Sequence, residues 1–297
     1  MPAIEPGKLI YPEAAFRLVG DRYIYMEFGG EPTVVLNVRV VAMRKALANA
    51  HIRGIQGYTM TPRSIAIVYD PLAVTHQYVC QALREVEREA QHVETVPSRL
   101  FVIPCWYGDP WTSECATAHK VPNNLEFVAT VNNLAPDEFV ARIATVEFWV
   151  AAVYFYIGAY NAFPLDNSDV WSAPKYRVPR TWTPDRTVAY AGTFVGSYAL
   201  PGPGGYQMLG RSAVNFFELE RKNRIFKETG RSILVEHGDR HIYRSIGEAE
   251  YWEIWNQVEQ GTYEYEVRHE SFNIKRYSEA VLRGDKIDPS DFVERRQ

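Results

Sequence analysis

From Val146 onward, prolines and glycines interrupt the chain at short intervals, and this spacing limits the folds that the second half can adopt. The interrupting residues are Pro164, Pro174, Pro179, Pro184, Pro201, Gly202, Pro203, Gly204 and Gly205. Because proline breaks helices and is confined to the edges of sheets, only short strands joined by turns fit between these positions. We therefore expect a β-rich second domain.

The first part of the chain instead alternates between strand-like and helix-like segments. In chain order these are a strand at Tyr23–Phe28, a helix at Leu36–Ile52, a strand at Ser64–Asp70 and an amphipathic helix at Thr75–Ala90. Such alternation is typical of a small α+β domain. The polar stretch Gln91–Ser98 follows, and we place the domain boundary there, between residues 1–97 and residues 98–297.

Composition and charge exclude several classes of protein. The chain has 297 residues with 32 basic and 36 acidic side chains, so it lacks the basic excess of a nucleic-acid-binding protein. The uncharged segment Phe148–Ala162, about 15 residues long, is too short to cross a bilayer. Met1–Glu13 carries charges and prolines rather than a signal-like apolar run, and Cys80, Cys105 and Cys115 cannot all pair, so we expect reduced thiols and a cytoplasmic location.

The segment from Lys175 to Arg211 holds the densest set of residues suited to ligand binding. Arg180 and Arg211 are permanent cations that could clamp a carboxylate, and Gln207 could recognise an amide or ureido group, so these three are the candidate catalytic residues. The candidate binding residues are Lys175, Tyr176, Trp182, Tyr198, Gly204, Gly205 and Tyr206. The two glycines would bring the backbone close to a ligand or adopt positive φ, and the aromatic rings would exclude water. The alternative interpretation is a glycine- and proline-rich turn with two surface arginines.

Two motifs in this segment carry a resemblance to a known family. They are Lys-Tyr-x3-Arg-Thr-Trp-Thr-Pro at Lys175–Pro184 and Pro-Gly-Gly-Tyr-Gln-x2-Gly-Arg at Pro203–Arg211, and they occur with Ser64–Pro71, Val96–Arg99, Asn124–Phe127, Pro164–Asp166 and Gly238–Arg240 in the expected order. Together they resemble the allophanate hydrolase subunit 1 family, in which the first part of the urea carboxylase carboxyltransferase domain, the B component of 5-oxoprolinase and a sporulation kinase inhibitor are found. The urea carboxylase branch is the most similar.

The resemblance implies a ferredoxin-like domain at residues 1–97, then a cyclophilin-like β-barrel at residues 98–297 with a C-terminal arm from Glu270. It also implies that the chain is the first half of a carboxyltransferase, which moves CO2 from biotin to a urea- or amide-type nitrogen. Biotin would be carried on a separate chain and ATP used only at a separate biotin carboxylase. The implied partners are a second cyclophilin-like subunit, of the allophanate hydrolase subunit 2 type, and the biotin carboxylase and carrier protein.

Two alternatives stay open: a subunit of an ATP-dependent 5-oxoproline or lactam hydrolase, and a regulatory or scaffold protein without activity. One departure from the urea carboxylase pattern bears on them. Where a glycine-rich stretch with an acidic residue is expected, this chain has the aromatic segment Trp149–Ala159. We therefore expect a bulkier or less polar acceptor than urea, or a degenerate site.

The histidines and cysteines do not form a metal motif in the sequence. His237 and His241 flank a Gly-Asp turn, so the helical display that zinc sites use is not available to them. Cys105, Cys115 and His119 lack a fourth partner at useful spacing. We expect no metal site.

Overall fold

A computed structural model describes residues 10–166, 168 and 170–295 of the chain. It divides into two compact units, which are Met1–Ser98 with Glu270–Gln297, and Arg99–His269. Strands β5 (Thr95–Tyr107) and β12 (Val267–Asn273) carry the chain from one unit to the other.

The N-terminal part of the first unit, from residue 10 onward, is a four-stranded antiparallel sheet with two helices. Its elements in chain order are β1 (Ile10–Val19), β2 (Tyr23–Gly29), α1 (Val34–Ala50), β3 (Ile55–Thr61), β4 (Ser64–Tyr69) and α2 (His76–Ala90). Helix α2 begins after Thr75, whose hydroxyl accepts a hydrogen bond from the Tyr78 amide, and its predicted apolar face of Val79, Leu83 and Val86 is buried. Both predicted strands and both predicted helices of this region are therefore confirmed.

The sheet order is β1-β2-β4-β3, and the element order is ββαββα. A ferredoxin-like domain has the order βαββαβ, in which the fourth strand follows the second helix. Here the N-terminal strand β1 lies beside β2, and its pairing runs from Ile10↔Gly29 to Val19↔Tyr23. The ferredoxin-like name therefore stays a prediction for this unit.

The C-terminal segment differs from the predicted division, which kept it with the second domain as an arm. It contains α8 (Ile274–Arg283), a 3-10 turn at Pro289–Phe292 and β13 (Val293–Arg295), and it belongs to the first unit. Helix α8 buries Ile274, Tyr277 and Ala280, because these residues repeat at the helical period. Phe272, Tyr277 and Phe292 form an aromatic cluster, with ring centroids 5.5–6.2 Å apart.

The second unit contains a closed β-barrel. Its further strands are β6 (Phe148–Val153), β7 (Tyr160–Pro164), β8 (Thr187–Ala191), β9 (Phe194–Tyr198), β10 (Gln207–Ser212) and β11 (Arg240–Ser245). The order is β10-β8-β9-β7-β6-β11-β5, and pairing of β5 with β10 closes a ring of seven strands within the described residues. This confirms the predicted β-barrel and matches the cyclophilin-like type. The segment predicted to be buried strand, Phe148–Ala162, forms β6, a tight turn and β7.

Among the residues described in the second unit, five α-helices accompany the barrel: α3 (Pro110–Ala118), α4 (Asn124–Val131), α5 (Pro136–Ile143), α6 (Arg224–Thr229) and α7 (Glu248–Gln260). The predicted short helices near residues 123–132 and 136–144 correspond to α4 and α5. The core is aliphatic and aromatic, with Phe148, Val150, Val188 and Tyr243 fully buried. In the described part of the chain, no helix is long and apolar enough to span a membrane.

Candidate functional site

One cleft of the second unit, which we call the tyrosine cleft, has a volume of about 400 Å³. Its walls come from the β6–β7 turn, β7, β9 and the two sequence motifs. The lining residues are Tyr154, Phe155, Tyr156, Ala159, Tyr160, Asn161, Lys175, Tyr176, Pro179, Gly196, Ser197, Tyr198, Pro203, Gly204, Gly205 and Tyr206. Six of the predicted site residues, Lys175, Tyr176, Tyr198, Gly204, Gly205 and Tyr206, are therefore brought together here.

Backbone hydrogen bonds hold the two motifs side by side. The Arg180 amide donates to the Gly204 carbonyl at 2.8 Å, and the Gly204 amide donates back to the Arg180 carbonyl at 3.1 Å. The Tyr176 amide donates to the Gly205 carbonyl at 2.8 Å. This short bridge fixes the side chains of one motif relative to those of the other, although they are about 30 residues apart in sequence.

Arg180 lies behind the tyrosines of the cleft and is only 2% exposed. Its guanidinium donates to the Tyr206 carbonyl at 2.7 Å and to the Thr183 hydroxyl at 3.3 Å, and it lies 5.1 Å from the centre of the Tyr176 ring. No carboxylate of the described residues lies within ion-pair distance of it, and its Nε is buried without a hydrogen-bond partner among them. A buried cation without a counter-charge is costly, so this position favours an anion nearby.

The tyrosine hydroxyls of the cleft are neutral hydrogen-bonding groups at physiological pH. Burial raises the pKa of Tyr206 to about 12, and burial also raises the pKa of Tyr198 and Tyr176. The charge of Arg180 acts in the opposite direction on the pKa of both Tyr198 and Tyr176, but less strongly than burial. These hydroxyls can therefore donate to an oxyanion or a carbonyl oxygen.

The remaining polar groups of the cleft are few. The Lys175 ammonium lies 4.9 Å from the centre of the Tyr206 ring. The Asn161 amide donates to the Tyr206 hydroxyl at 3.2 Å. The Tyr156 hydroxyl is buried and finds no hydrogen-bond partner among the described residues. A ligand in the cleft would thus meet the Lys175 cation and two buried hydroxyls, of Tyr156 and Ser197, that have no hydrogen-bond partner among the described residues.

Gly204 and Gly205 have different roles, and neither adopts the positive φ that the sequence allowed. A Cβ on Gly204 would come within 2.5 Å of the Tyr198 ring, whereas a Cβ on Gly205 would have its nearest neighbour at 3.8 Å. Gly204 is therefore required because the Tyr198 ring packs directly against its backbone.

Besides Arg180, which lies behind the cleft, three predicted site residues do not line it. Gln207 is 3% exposed, donates to the Pro174 carbonyl at 2.8 Å and leaves its buried Oε1 without a partner among the described residues. The Trp182 ring is half exposed beside His119, and its carbonyl accepts from the Cys115 thiol. Both residues support the loops around the cleft rather than its surface.

Arg211, the third of these residues, is enclosed elsewhere in the second unit. Its guanidinium pairs with the Asp185 carboxylate and donates from Nε to the Asp185 carbonyl at 3.0 Å. It lies 4.6 Å from the Trp111 ring centre and 4.8 Å from that of Trp255. Because the Asp185 carboxylate already balances its charge, Arg211 is not available to bind a substrate carboxylate, and the proposed site does not include it.

Sequence reasoning missed Asn161, Ser197 and Pro179 as parts of the cleft. Asn161 and Ser197 lie on paired strands, as β7 joins β9 through Asn161↔Gly196 and Tyr160↔Ser197. For Asn161 the available signal was its position just after the aromatic segment, and for Pro179 its position inside the first motif, whereas no sequence signal identified Ser197. That segment forms a wall of the cleft through Tyr154, Phe155 and Tyr156.

The histidines of the Gly-Asp turn have separate environments. His237 Nδ1 accepts from the Val153 amide at 3.2 Å, while His241 is buried with its Nδ1 3.1 Å from the Tyr160 hydroxyl. Between them, the Asp239 carboxylate accepts from Arg99 Nη2 at 2.6 Å. Across the described ranges, no three His, Cys, Asp or Glu side chains are grouped as metal ligands would be.

The first unit holds a smaller cavity of about 150 Å³, lined by α1, α2 and α8. The charged groups on its wall are already paired, because Arg39 Nη2 lies 3.2 Å from the Glu87 carboxylate. The Glu87 carboxylate also accepts from the Ala14 amide at 2.9 Å. This cavity therefore offers no unmatched charge to a ligand.

The seven-stranded barrel thus carries a cleft built largely from the two sequence motifs. The family described as the carboxyltransferase domain, subdomain C and D, matches residues 14–226, and the chain belongs to it. Among curated relatives, urea amidolyase of Lachancea kluyveri is 27% identical over 280 residues, covering 90% of this chain and 15% of that protein. The B component of 5-oxoprolinase from Bacillus subtilis is 24% identical over 242 residues, covering 76% of this chain and 95% of that protein.

Solved structures agree on the fold. Urea carboxylase of Kluyveromyces lactis superposes with a TM-score of 0.80 at 23% identity, covering 94% of this chain and 27% of that one. This chain therefore spans about a quarter or less of the urea-processing proteins that it matches. At this identity the superposition supports the fold alone.

Proposed function

We propose that this chain is the first half of a carboxyltransferase in a biotin-dependent, urea-carboxylase-like complex. The observation that carries the proposal is Arg180, a buried cation without a counter-charge among the described residues, behind the tyrosine cleft. A cleft of this kind suits transfer of a carboxyl group, because the cation compensates the negative charge and the aromatic walls exclude water. The relatives named urea amidolyase support the assignment.

Biotin, carried on a separate chain, would supply an activated carboxyl group on its ring nitrogen. Transfer would replace the bond between the carboxyl carbon and that ring nitrogen by a bond to the acceptor nitrogen, whose proton would pass to the ring nitrogen. No oxidant or reductant is involved. Arg180 stabilises the negative charge during this exchange, and the rings of Tyr176, Tyr198 and Tyr206 exclude water that would otherwise favour loss of CO2.

The proposal implies partners. A second cyclophilin-like subunit of the allophanate hydrolase subunit 2 type would complete the carboxyltransferase, and a biotin carboxylase with its carrier protein would use ATP and deliver the carboxyl group. Relatives in which this region is a small part of a longer chain support the need for such partners. The tyrosine cleft would hold the small urea- or amide-type acceptor.

Replacing Arg180 tests the proposal in the assembled complex. In general, a cation about 8 Å from a carboxylate stabilises it by about 2 kcal/mol, or roughly 30-fold, at an effective dielectric constant near 20. Arg180→Gln should therefore reduce transfer of labelled bicarbonate to the acceptor by roughly 30-fold and leave carboxylation of the carrier unchanged. Arg177→Gln, which removes an exposed cation of the same segment, is the matched control and should change neither.

Arg180→Lys guards against misfolding, because it keeps the charge while losing the guanidinium geometry. Circular dichroism and thermal melting would establish that each variant is folded. Unaltered transfer in a folded Arg180→Gln complex would contradict the role of Arg180.

A second candidate function is a subunit of an ATP-dependent 5-oxoproline or lactam hydrolase. It is favoured by the comparison with the B component of 5-oxoprolinase, of which this chain covers 95% rather than a fraction. Turnover that needs ATP and a barrel partner, but neither bicarbonate nor a biotin protein, would select this candidate.

A further inference from the structure

The turn between β6 and β7 presents an aromatic side chain to solvent at the rim of the tyrosine cleft. Phe155 is 87% exposed and Ile157 is 53% exposed, although both are large and apolar. The turn is nevertheless closed by hydrogen bonds, from the Tyr154 amide to the Ala159 carbonyl at 3.1 Å and from the Ala159 amide to the Tyr156 carbonyl at 3.0 Å. The two side chains are near neighbours in one turn at a cleft rim, and adjacent exposed apolar groups of this kind can mark a binding surface.

Phe155 also has a backbone conformation that is unfavourable for its residue type. Its φ is +81°, in the region that glycine adopts without cost and bulky residues avoid. Glycine would satisfy this turn better, and an exposed phenyl ring contributes nothing to the core. Strain retained at a cleft indicates that the side chain has a role there.

The exposed ring continues into a row of aromatic rings along the cleft. Ring centroids are 5.9 Å apart for Phe155 and Tyr156, 6.3 Å for Tyr156 and Tyr198, and 6.4 Å for Tyr198 and Tyr206. Aromatic rings at such separations pair edge-to-face or offset, and a planar ligand ring can join the row in the same way. The cleft therefore favours a flat ring over a small polar molecule.

Size and polarity lead to the same class of ligand. The cleft has a volume of about 400 Å³, whereas urea has four heavy atoms and fills the space of roughly two to three waters at about 30 Å³ each. The unsatisfied Tyr156 hydroxyl could donate to one carbonyl oxygen, and burial raises the pKa of Tyr156, which keeps that proton in place.

We propose that the tyrosine cleft takes an aromatic or heteroaromatic carboxamide as its acceptor, with Phe155 and Tyr156 as the residues that select it. The role of the bound amide as carboxyl acceptor rests on the proposed function, whereas its binding in the cleft does not. The phenyl ring of Phe155 covers the ligand ring, and the Tyr156 hydroxyl donates to the amide carbonyl.

Calorimetric titration of the purified full-length chain tests the inference without any partner. The probes are benzamide, acetamide, urea and biotin methyl ester. Benzamide should bind at least tenfold more tightly than acetamide or urea. Phe155→Gly should weaken benzamide binding by roughly fivefold while the fold is retained, since glycine suits the positive φ, and Tyr156→Phe should weaken it by a similar factor.

Val178→Ser is the matched control. Val178 is an apolar residue that is 79% exposed and precedes Pro179 of the cleft wall, but it does not itself line the cleft. Equal affinity for benzamide and acetamide, or full benzamide affinity in both cleft variants, would overturn the inference. So would biotin methyl ester binding more tightly than benzamide and displacing it, because the aromatic row would then serve the carrier's ring. Benzamide binding in a protein that associates with no biotin protein would leave this inference standing and overturn only the proposed function.

Discussion

Gly204 is the position at which one added methyl group most directly tests the packing of the cleft. In Gly204→Ala the new Cβ would lie 2.5 Å from both Cε1 and Cζ of Tyr198, against the roughly 3.5–4.0 Å of an ordinary carbon contact. The Tyr198 ring must move by about 1 Å, yet it is buried between Tyr156 and Tyr206. Overpacking of this size costs about 2 kcal/mol.

Thermal unfolding followed by circular dichroism measures this cost. For a unit of this size, about 2 kcal/mol lowers Tm by about 4–8 °C. Two alanine substitutions in the same loop are matched controls: Gly202→Ala meets no atom within 4 Å, and Gly205→Ala meets its nearest at 3.8 Å. Both controls should stay within about 1 kcal/mol of the parent chain, because alanine restricts the unfolded chain without strain. If Gly204→Ala has the same Tm as its two controls, the close packing of Tyr198 against Gly204 is wrong.

Two further predictions concern residues outside the cleft. Burial lowers the pKa of His241 to about 3. Between about pH 6.5 and pH 3 the unfolded chain therefore binds a proton at this histidine that the folded chain does not bind. The folded state loses stability as the pH falls through this window. His241→Asn should lower the slope of unfolding free energy against pH by up to about 1.4 kcal/mol per unit, and an unchanged slope in urea titrations would contradict this. Arg211→Lys should destabilise the chain by about 1–2 kcal/mol, because a lysine cannot keep both the Asp185 ion pair and the ring contacts with Trp111 and Trp255. The affinity for benzamide should stay unchanged. Weakened binding at an unchanged Tm would return Arg211 to the site.

Local sequence signals were sufficient for the elements that depend on local periodicity. Helix α2 repeats its apolar residues at the helical period and has a threonine cap, so both its type and its start could be predicted. The C-terminal segment could not be placed in this way. Helix α8 has an equally amphipathic pattern, but the pattern does not identify the surface that it covers, and the first unit provides that surface.

The sequence predicted most of the residues of the candidate site, but not the directions in which their side chains point. The motifs identified the loops that meet at the Arg180–Gly204 bridge, and six of the predicted residues line the cleft. The direction of Arg211 was not predictable, because the pairing of β10 with β8 has a register irregularity between Met208 and Gly210. A bulge changes which face the following side chains occupy, and no residue pattern in the motif indicates it.

Closure of the barrel could not be predicted from local sequence patterns either. Strand β11 pairs in parallel with β5, with partners such as Arg240↔Leu100 that are far apart in the chain. Such long-range pairing depends on loop closure and core packing rather than on the residues of either strand alone. The expectation of a barrel therefore depended on family resemblance more than on periodicity.

The most direct test of the carboxyltransferase assignment is purification of the tagged chain from its native source, with a streptavidin blot and mass spectrometry of what accompanies it. The expected result is a biotinylated carrier protein together with a second barrel protein. A barrel protein without any biotinylated chain would contradict the assignment and favour the lactam hydrolase, and the absence of both would contradict a role for this chain in either enzyme.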